Sequence, residues 1–448
     1  MSEKTLIQNA RLVNEGQVTE GDLLIRDGRI EQIAASLPAA AGTAVIDAAG
    51  RYLLPGMIDD QVHFREPGLT HKGGIRSESR AAAAGGITSF MEMPNTVPPT
   101  VTLEALENKY AVAAEKSLVN YAFYLGATND NLDVIRALQP GQAAGIKIFM
   151  GASTGNMLVD NEQTLAGIFR DAPALIATHC ESTPMIDANL AAALEKYGPE
   201  IPVSEHPNIR SAEACYASTV VAIDLARRFD APLHVLHLST AREMELFEPG
   251  PMAGKLVTAE LCVHFLHFDS RDYATHGNRI KCNPAIKTPA DRAGLLQALK
   301  DGRLDIIATD HAPHTAEEKA ATDYRKAPSG LPLVQDALLS VLELHHDGEL
   351  ALEQIVRLTA HNVADRFRVI DRGYLREGYW ADLVLVDITT PTRATPDRVL
   401  SQCGWSPFEG ETFRSSIART IVNGRTVFDG QAIVEADAAQ RLRIGAQR

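Results

Sequence analysis

The stretch "GMIDDQVHFREPG", residues 56–68, runs from an apolar entry, Met57 and Ile58, into two aspartates, a glutamine, a histidine, an arginine and a glutamate. An apolar run that ends in crowded ionisable groups reads as a buried strand whose carboxyl end opens onto a site. Seven further runs follow it: "GITSFMEMP", "YAFYLGA", "AGIKIFM", "PALIATHC", "PLHVLHL", "KLVTAELCVHF" and "RLDIIATD". Longer helical patterns separate them, among them "SESRAAAAGG", "LEALENKYAVAAEK" and "SAEACYASTVVAIDLARRF". Eight strand–helix units predict an α/β fold, a (β/α)8 barrel over residues 56–373, in preference to a doubly wound sheet.

The two ends of the chain resemble each other. "DLLIRDGRIEQI" alternates apolar and polar residues around Asp27-Gly28, and "ARTIVNGRTVFDG" does so around Asn423-Gly424. Both dipeptides suit two-residue hairpins, which need positive φ at both central positions. "WADLVLVD" (380–387) adds a strand. One small β-sandwich domain is expected, assembled from residues 1–55 and 374–448.

Composition limits the function classes. The 448 residues are 45% hydrophobic and 22% charged, with a formal charge of −14. That field opposes nucleic acid or an anionic membrane as main partner, so an anionic small molecule would have to be met by local cations. "MSEKTLIQNA" lacks the basic and apolar regions of a signal peptide. The 5 cysteines form no C-x-x-C pair and read as reduced thiols. A cytoplasmic protein is the expectation.

Nearly every predicted strand ends in a polar side chain: His63 and Arg65, Asn95, Lys147, His179, His237, His264 and Asp310. Barrel enzymes place their chemistry at those carboxyl ends, so residues far apart in sequence can converge there. His63, His179 and His237 suffice to hold a zinc-like ion. His234 lies at an odd offset from His237, so only one of them should face inward, and His237 is nearer the strand end. Asp310 ends the last apolar strand and reads either as a helix cap or as a metal ligand that also accepts a proton. Lys147 interrupts an apolar strand. It either extends to a carboxylate or, desolvated and neutral, takes up carbon dioxide as a carbamate able to bridge two ions. Arg65 shares the face of His63 and offers a planar fork to a carboxylate. With the amides Asn95 and Asn283 it suggests a substrate bearing a carboxylate and an amide or imide. The charged segment 311–330 reads as a covering loop, with His311 and His314 nearest the chemistry. Histidines 71, 206, 267, 276, 345, 346 and 361 read as surface or core, and residues 345–367 as helices outside the barrel.

"HFREPG", "SESRAAAAGGITSFMEMPNT", "IKIFMGASTGNM", "THCE", "HLST", "NPAIK" and "IATDHAPH" together resemble the cyclic amidohydrolases of the amidohydrolase superfamily, most closely the dihydroorotases of the longer, bacterial type. The resemblance implies that His63, Lys147 as its carbamate, His179, His237 and Asp310 bind one to two zinc ions. It implies that Arg65, Asn95, Asn283 and His314 bind substrate. The reaction would be the reversible interconversion of N-carbamoyl-L-aspartate with L-dihydroorotate and water in pyrimidine synthesis, with Asp310 as proton shuttle. Hydantoinases and allantoinases share the His, Lys and Asp framework. Some chains of this kind serve instead as non-catalytic partners of aspartate transcarbamoylase. A homodimer is expected. Gln61 departs from the family's H-x-H pattern, and an amide is a weaker zinc donor than imidazole. The outer ion, on His63, Lys147 and Asp310, should therefore bind less firmly than the inner one, on Lys147, His179 and His237.

Overall fold

The computed structural model describes residues 4–151 and 157–447. Part of "IKIFMGASTGNM", residues 152–156, lies outside them. Parallel strands Met57–Val62, Ile87–Glu92 and Asn120–Phe123 begin a barrel. Leu125–Gly126 carries the third strand across to Ile146–Phe149. Ile176–His179, Leu233–Val235, Val257–Cys262 and Ile306–Ala308 follow in order. The ring closes where Val62 bridges His311 and the His63 N–H donates to the His311 carbonyl at 2.7 Å. The eight strands match the sequence reading. Every residue of Met57–Val62 and of Ile87–Glu92 is buried, because helices cover one side and the barrel interior the other. That two-sided burial is why these runs do not alternate.

The covering helices start where the sequence offers caps. Thr102 accepts from the Ala105 N–H ahead of Leu103–Lys116, and Ser211 from that of Ala214 ahead of Ala212–Phe229. Thr288 and Asp291 form a capping box at Pro289–Lys300. Inside the barrel, Ile58, Met91, Tyr124, Leu175 and Ile306 belong to one apolar cluster. Phe367 enters it, its ring centroid 5.7 Å from that of His234. Val363 and Ala364 belong to the same cluster, so the expectation that residues 345–367 stay outside the barrel fails over their last turn.

Both chain ends build one eight-stranded sheet. Its long strand Lys4–Asn14 shifts register between Ile7 and Ala10, pairing with Ala44–Asp47 on one half and Tyr52–Pro55 on the other. Leu383–Asp387, Ser416–Val422 and Arg425–Phe428 extend it. Bent in this way, the sheet encloses Leu12, Leu23, Leu53, Leu383 and Ile421, the core of the small β-sandwich. Asp27, Gly28, Asn423 and Gly424 all have positive φ, as the predicted hairpin turns require. The two turns touch: a Cβ on Gly28 would lie 2.7 Å from the Asn423 carbonyl oxygen. Among the described residues no helix is long and apolar enough to cross a membrane.

Candidate metal and substrate site

A cavity of about 480 Å³ opens at the carboxyl ends of the strands, and His63, Arg65, Asn95, Lys147, His179, His237, Asn283, Asp310 and His314 all line it. The structure thus brings together every residue singled out for metal or substrate. His63 follows the first strand, and its Nδ1 lies 2.7 Å from Asn95 Oδ1. An amide oxygen only accepts, so the imidazole proton sits on Nδ1 and the Nε2 lone pair is free. That lone pair faces Asp310 Oδ1 at 3.1 Å. Across the cavity His179 gives Nε2 to Glu181 Oε2 at 2.8 Å, and Glu181 is itself paired with Arg210. His179 Nδ1 then faces His237 Nε2 at 2.9 Å, while His237 Nδ1 is buried with no hydrogen-bond partner among the described residues.

Burial lowers the pKa of all three imidazoles and so favours the neutral, ligating form. Lys147 Nζ sits 4.6 Å from the centroid of the Phe149 ring. Among the described residues it has no hydrogen-bonding or ion-pairing partner, and burial lowers its pKa to about 8. The carboxylate partner expected under the plainer reading is not found among those residues. His63 Nε2 with Asp310 Oδ1, and His179 Nδ1 with His237 Nε2, thus form two close pairs of potential ligand atoms, with a desolvated amine beside them. Imidazole nitrogens and a carboxylate oxygen gathered this closely are the ligand types that ions of the zinc class take. The residues fit a divalent metal.

Two expectations about histidines change. His234 and Asp60 meet at 3.2 Å although their strands are not neighbours, so both point into the barrel. His237 also faces inward, because its φ of +40° breaks the alternation just past the strand. His234 and His237 thus occupy different depths of one interior. His311 turns away from the cavity, with Nε2 at 2.8 Å from Glu78 and Nδ1 accepting from the Leu333 N–H.

The substrate side is cationic. Arg65 holds the Pro313 carbonyl through Nε at 3.1 Å and meets His314 Nε2 at 3.0 Å. Lys72 Nζ meets His314 Nδ1 at 3.1 Å, and Trp405 Nε1 donates to the His314 carbonyl at 2.8 Å. Burial, then Arg65 and Lys72, push the His314 pKa far down, so the ring is neutral. Asn283 Oδ1 is buried and unpartnered among the described residues. Lys72, Arg210 and Lys281 also line the cavity, and so does His206, which had read as surface or core. Sequence reasoning missed the three cations because they arrive from loops and helix ends, where no period constrains the side chain. The one available signal was Lys281, two positions before Asn283 in "KCNPAIK".

The amidohydrolase family profile matches residues 52–427. A dihydroorotase from Halobacterium salinarum is 36% identical over 431 residues, covering 93% of this chain and 97% of its own. An allantoinase from Bacillus velezensis is 32% identical over 436 residues, 96% of this chain and 94% of its own. The L-hydantoinase (dihydropyrimidinase) of Arthrobacter aurescens superposes with a TM-score of 0.93 at 28% identity, covering 99% and 100% of the two chains.

Proposed function

Because the chain belongs to the amidohydrolase family of metal-dependent cyclic-amide hydrolases, we propose that it is a dihydroorotase, interconverting N-carbamoyl-L-aspartate with L-dihydroorotate and water. The observation that carries this is the Arg65 guanidinium in the metal-side cavity, in contact with His314, whose other ring nitrogen meets Lys72, with Asn283 lining the same cavity. A ring carboxylate would find a fork there; allantoin and hydantoin have no such group to offer it. The substrate would thus be met by local cations within a chain of net charge −14.

Zinc is the ion proposed, and His63, Lys147 as its carbamate, His179, His237 and Asp310 would hold it. When bound, it supplies an acidified water and polarises the scissile carbonyl. The chain's residues do the rest. Asp310 accepts the proton from the attacking water and returns it to the leaving ring nitrogen. Asn95 keeps the His63 proton on Nδ1, and Glu181 keeps the His179 proton on Nε2. Arg65 and Asn283 fix the ring so that its carbonyl faces the metal side.

The alternative within the family, an allantoinase or hydantoinase, is favoured by the structural likeness to L-hydantoinase. A purely non-catalytic partner of aspartate transcarbamoylase has less support, since apart from Gln61 the full donor set is kept. The test compares turnover of dihydroorotate, allantoin and dihydrouracil by the zinc-loaded chain and by Arg65→Met. Loss of one partner of a buried charged contact costs about 2–5 kcal/mol, so dihydroorotate kcat/KM should fall roughly 30- to 4,000-fold. Undiminished turnover in Arg65→Met, or a preference for allantoin, would overturn the assignment.

A further inference from the structure

Asp60, His234 and Glu260 place one ligand atom each within 4.8 Å of one another inside the barrel. All three side chains are fully buried. They come from the first, sixth and seventh strands. Asp60 and His234 can therefore meet only across the interior, and none of the three lines the cavity above. His234 Nε2 lies 3.2 Å from Asp60 Oδ2 and 3.3 Å from Glu260 Oε2. Its Nδ1 is occupied by Thr258 Oγ1 at 2.8 Å. Glu260 Oε1 accepts from the His237 N–H at 3.0 Å. Among the described residues neither carboxylate oxygen of Asp60 has a hydrogen-bond partner.

A buried carboxylate with unsatisfied oxygens is costly, and two facing each other repel. One imidazolium would neutralise only one of them. Burial, and then the facing Asp60, push the Glu260 pKa well above the usual carboxylate range despite the nearby Lys147 ammonium, and as a carbamate Lys147 would add negative charge. The spacing points the same way. Charge-assisted N–H···O contacts run about 2.7–2.9 Å. Ligand atoms about 2.0–2.2 Å from a tetrahedral ion stand about 3.3–3.6 Å apart. The observed separations lie closer to the second.

We propose that Asp60, His234 and Glu260 bind one divalent cation of the zinc class inside the barrel, in addition to the ions at its mouth. Two carboxylates and one imidazole suit such an ion. The ion crosslinks the first, sixth and seventh strands, and Glu260 carries its position to the His237 backbone. Its role is structural, and it stands whether or not the substrate assignment above is right.

The test is a zinc-edge anomalous map of crystals grown from zinc-loaded protein dialysed against zinc-free buffer, with elemental analysis of the same sample. The expected result is a peak bonded to Asp60, His234 and Glu260. Asp60→Asn should contain one ion fewer per chain, while His179→Asn should lose density at the mouth and keep the interior peak. An empty interior in the wild type, with peaks at the mouth alone, would overturn the proposal and leave a shared proton as the neutralising charge. So would an unchanged ion count in Asp60→Asn. If that variant fails to fold, the wild-type map decides alone. A mouth without peaks would count against the enzyme reading and not against this one.

Discussion

Gln61 shows how one side chain can change a site without removing it. It shares a face with His63, where a second imidazole would grip the outer ion. Instead its Nε2 donates to Asp310 Oδ1 at 3.2 Å, and its Oε1 turns toward the Cys262 thiol. An N–H aimed at the site cannot ligate, so Gln61 holds Asp310 in place and gives the ion nothing. The outer position should therefore fill to a lower occupancy than the inner one after dialysis against a chelator. Gln61→His should bring the two level, read as the ratio of anomalous peak heights at the mouth. Equal peaks in the wild type would contradict this. Lys147 was legible in the sequence at the same scale, since an ammonium inside "AGIKIFMG" has few physical excuses. The tautomers set by Asn95 and Glu181 were not, because they depend on partners that only the fold supplies.

Between elements, Glu78 ties the first helix to distant segments. It lies in the first turn of Ile75–Ala84 and is fully buried. Its carboxylate meets His311 Nε2 at 2.8 Å, Ser401 Oγ at 2.5 Å and the Gln402 N–H at 3.0 Å. Burial alone would raise its pKa, but His311 and the Ser401 and Gln402 donors outweigh that and hold it below the usual value. A carboxyl with a lowered folded pKa contributes stability above its unfolded pKa of about 4.3 and loses it as pH falls through the folded one. Glu78→Gln should cost on the order of 3 kcal/mol near pH 7. In urea titrations the gap from wild type should shrink below about pH 4; a gap constant with pH would refute the reading that these donors hold an ionised carboxylate. Elements of this kind were readable from the sequence only where periodicity acts. The eight strands followed from apolar runs, and the helices Leu103–Lys116 and Ala212–Phe229 from helical patterns. His311 carried no period to show that it faces Glu78, and strand parity misplaced His234 because the turn at His237 lies past the ladder.

For the molecule as a whole, the C-terminal tail closes the barrel. "RLRIGAQ" (441–447) is a short stretch with two large apolar residues among arginines, glycine, alanine and glutamine, so no pattern announces where it docks. The Leu442 N–H donates to the Tyr121 carbonyl at 2.8 Å, and the Gln447 side chain accepts from the Leu175 N–H and donates to the Ala144 carbonyl. Leu442, 2% exposed, joins the cluster inside the barrel. Tyr121, Ala144 and Leu175 stand near or just before the starts of their strands, whereas His63 and His179 stand at or just past the ends. The tail therefore braces the end opposite the site. Leu442→Ala removes a packed side chain and leaves a void, which costs about 2–5 kcal/mol in comparable cores. The urea midpoint should fall accordingly, while zinc occupancy at the mouth and the KM for dihydroorotate stay at wild-type values. A shifted KM with an unchanged midpoint would mean that the tail acts on the site and not on the frame that carries it.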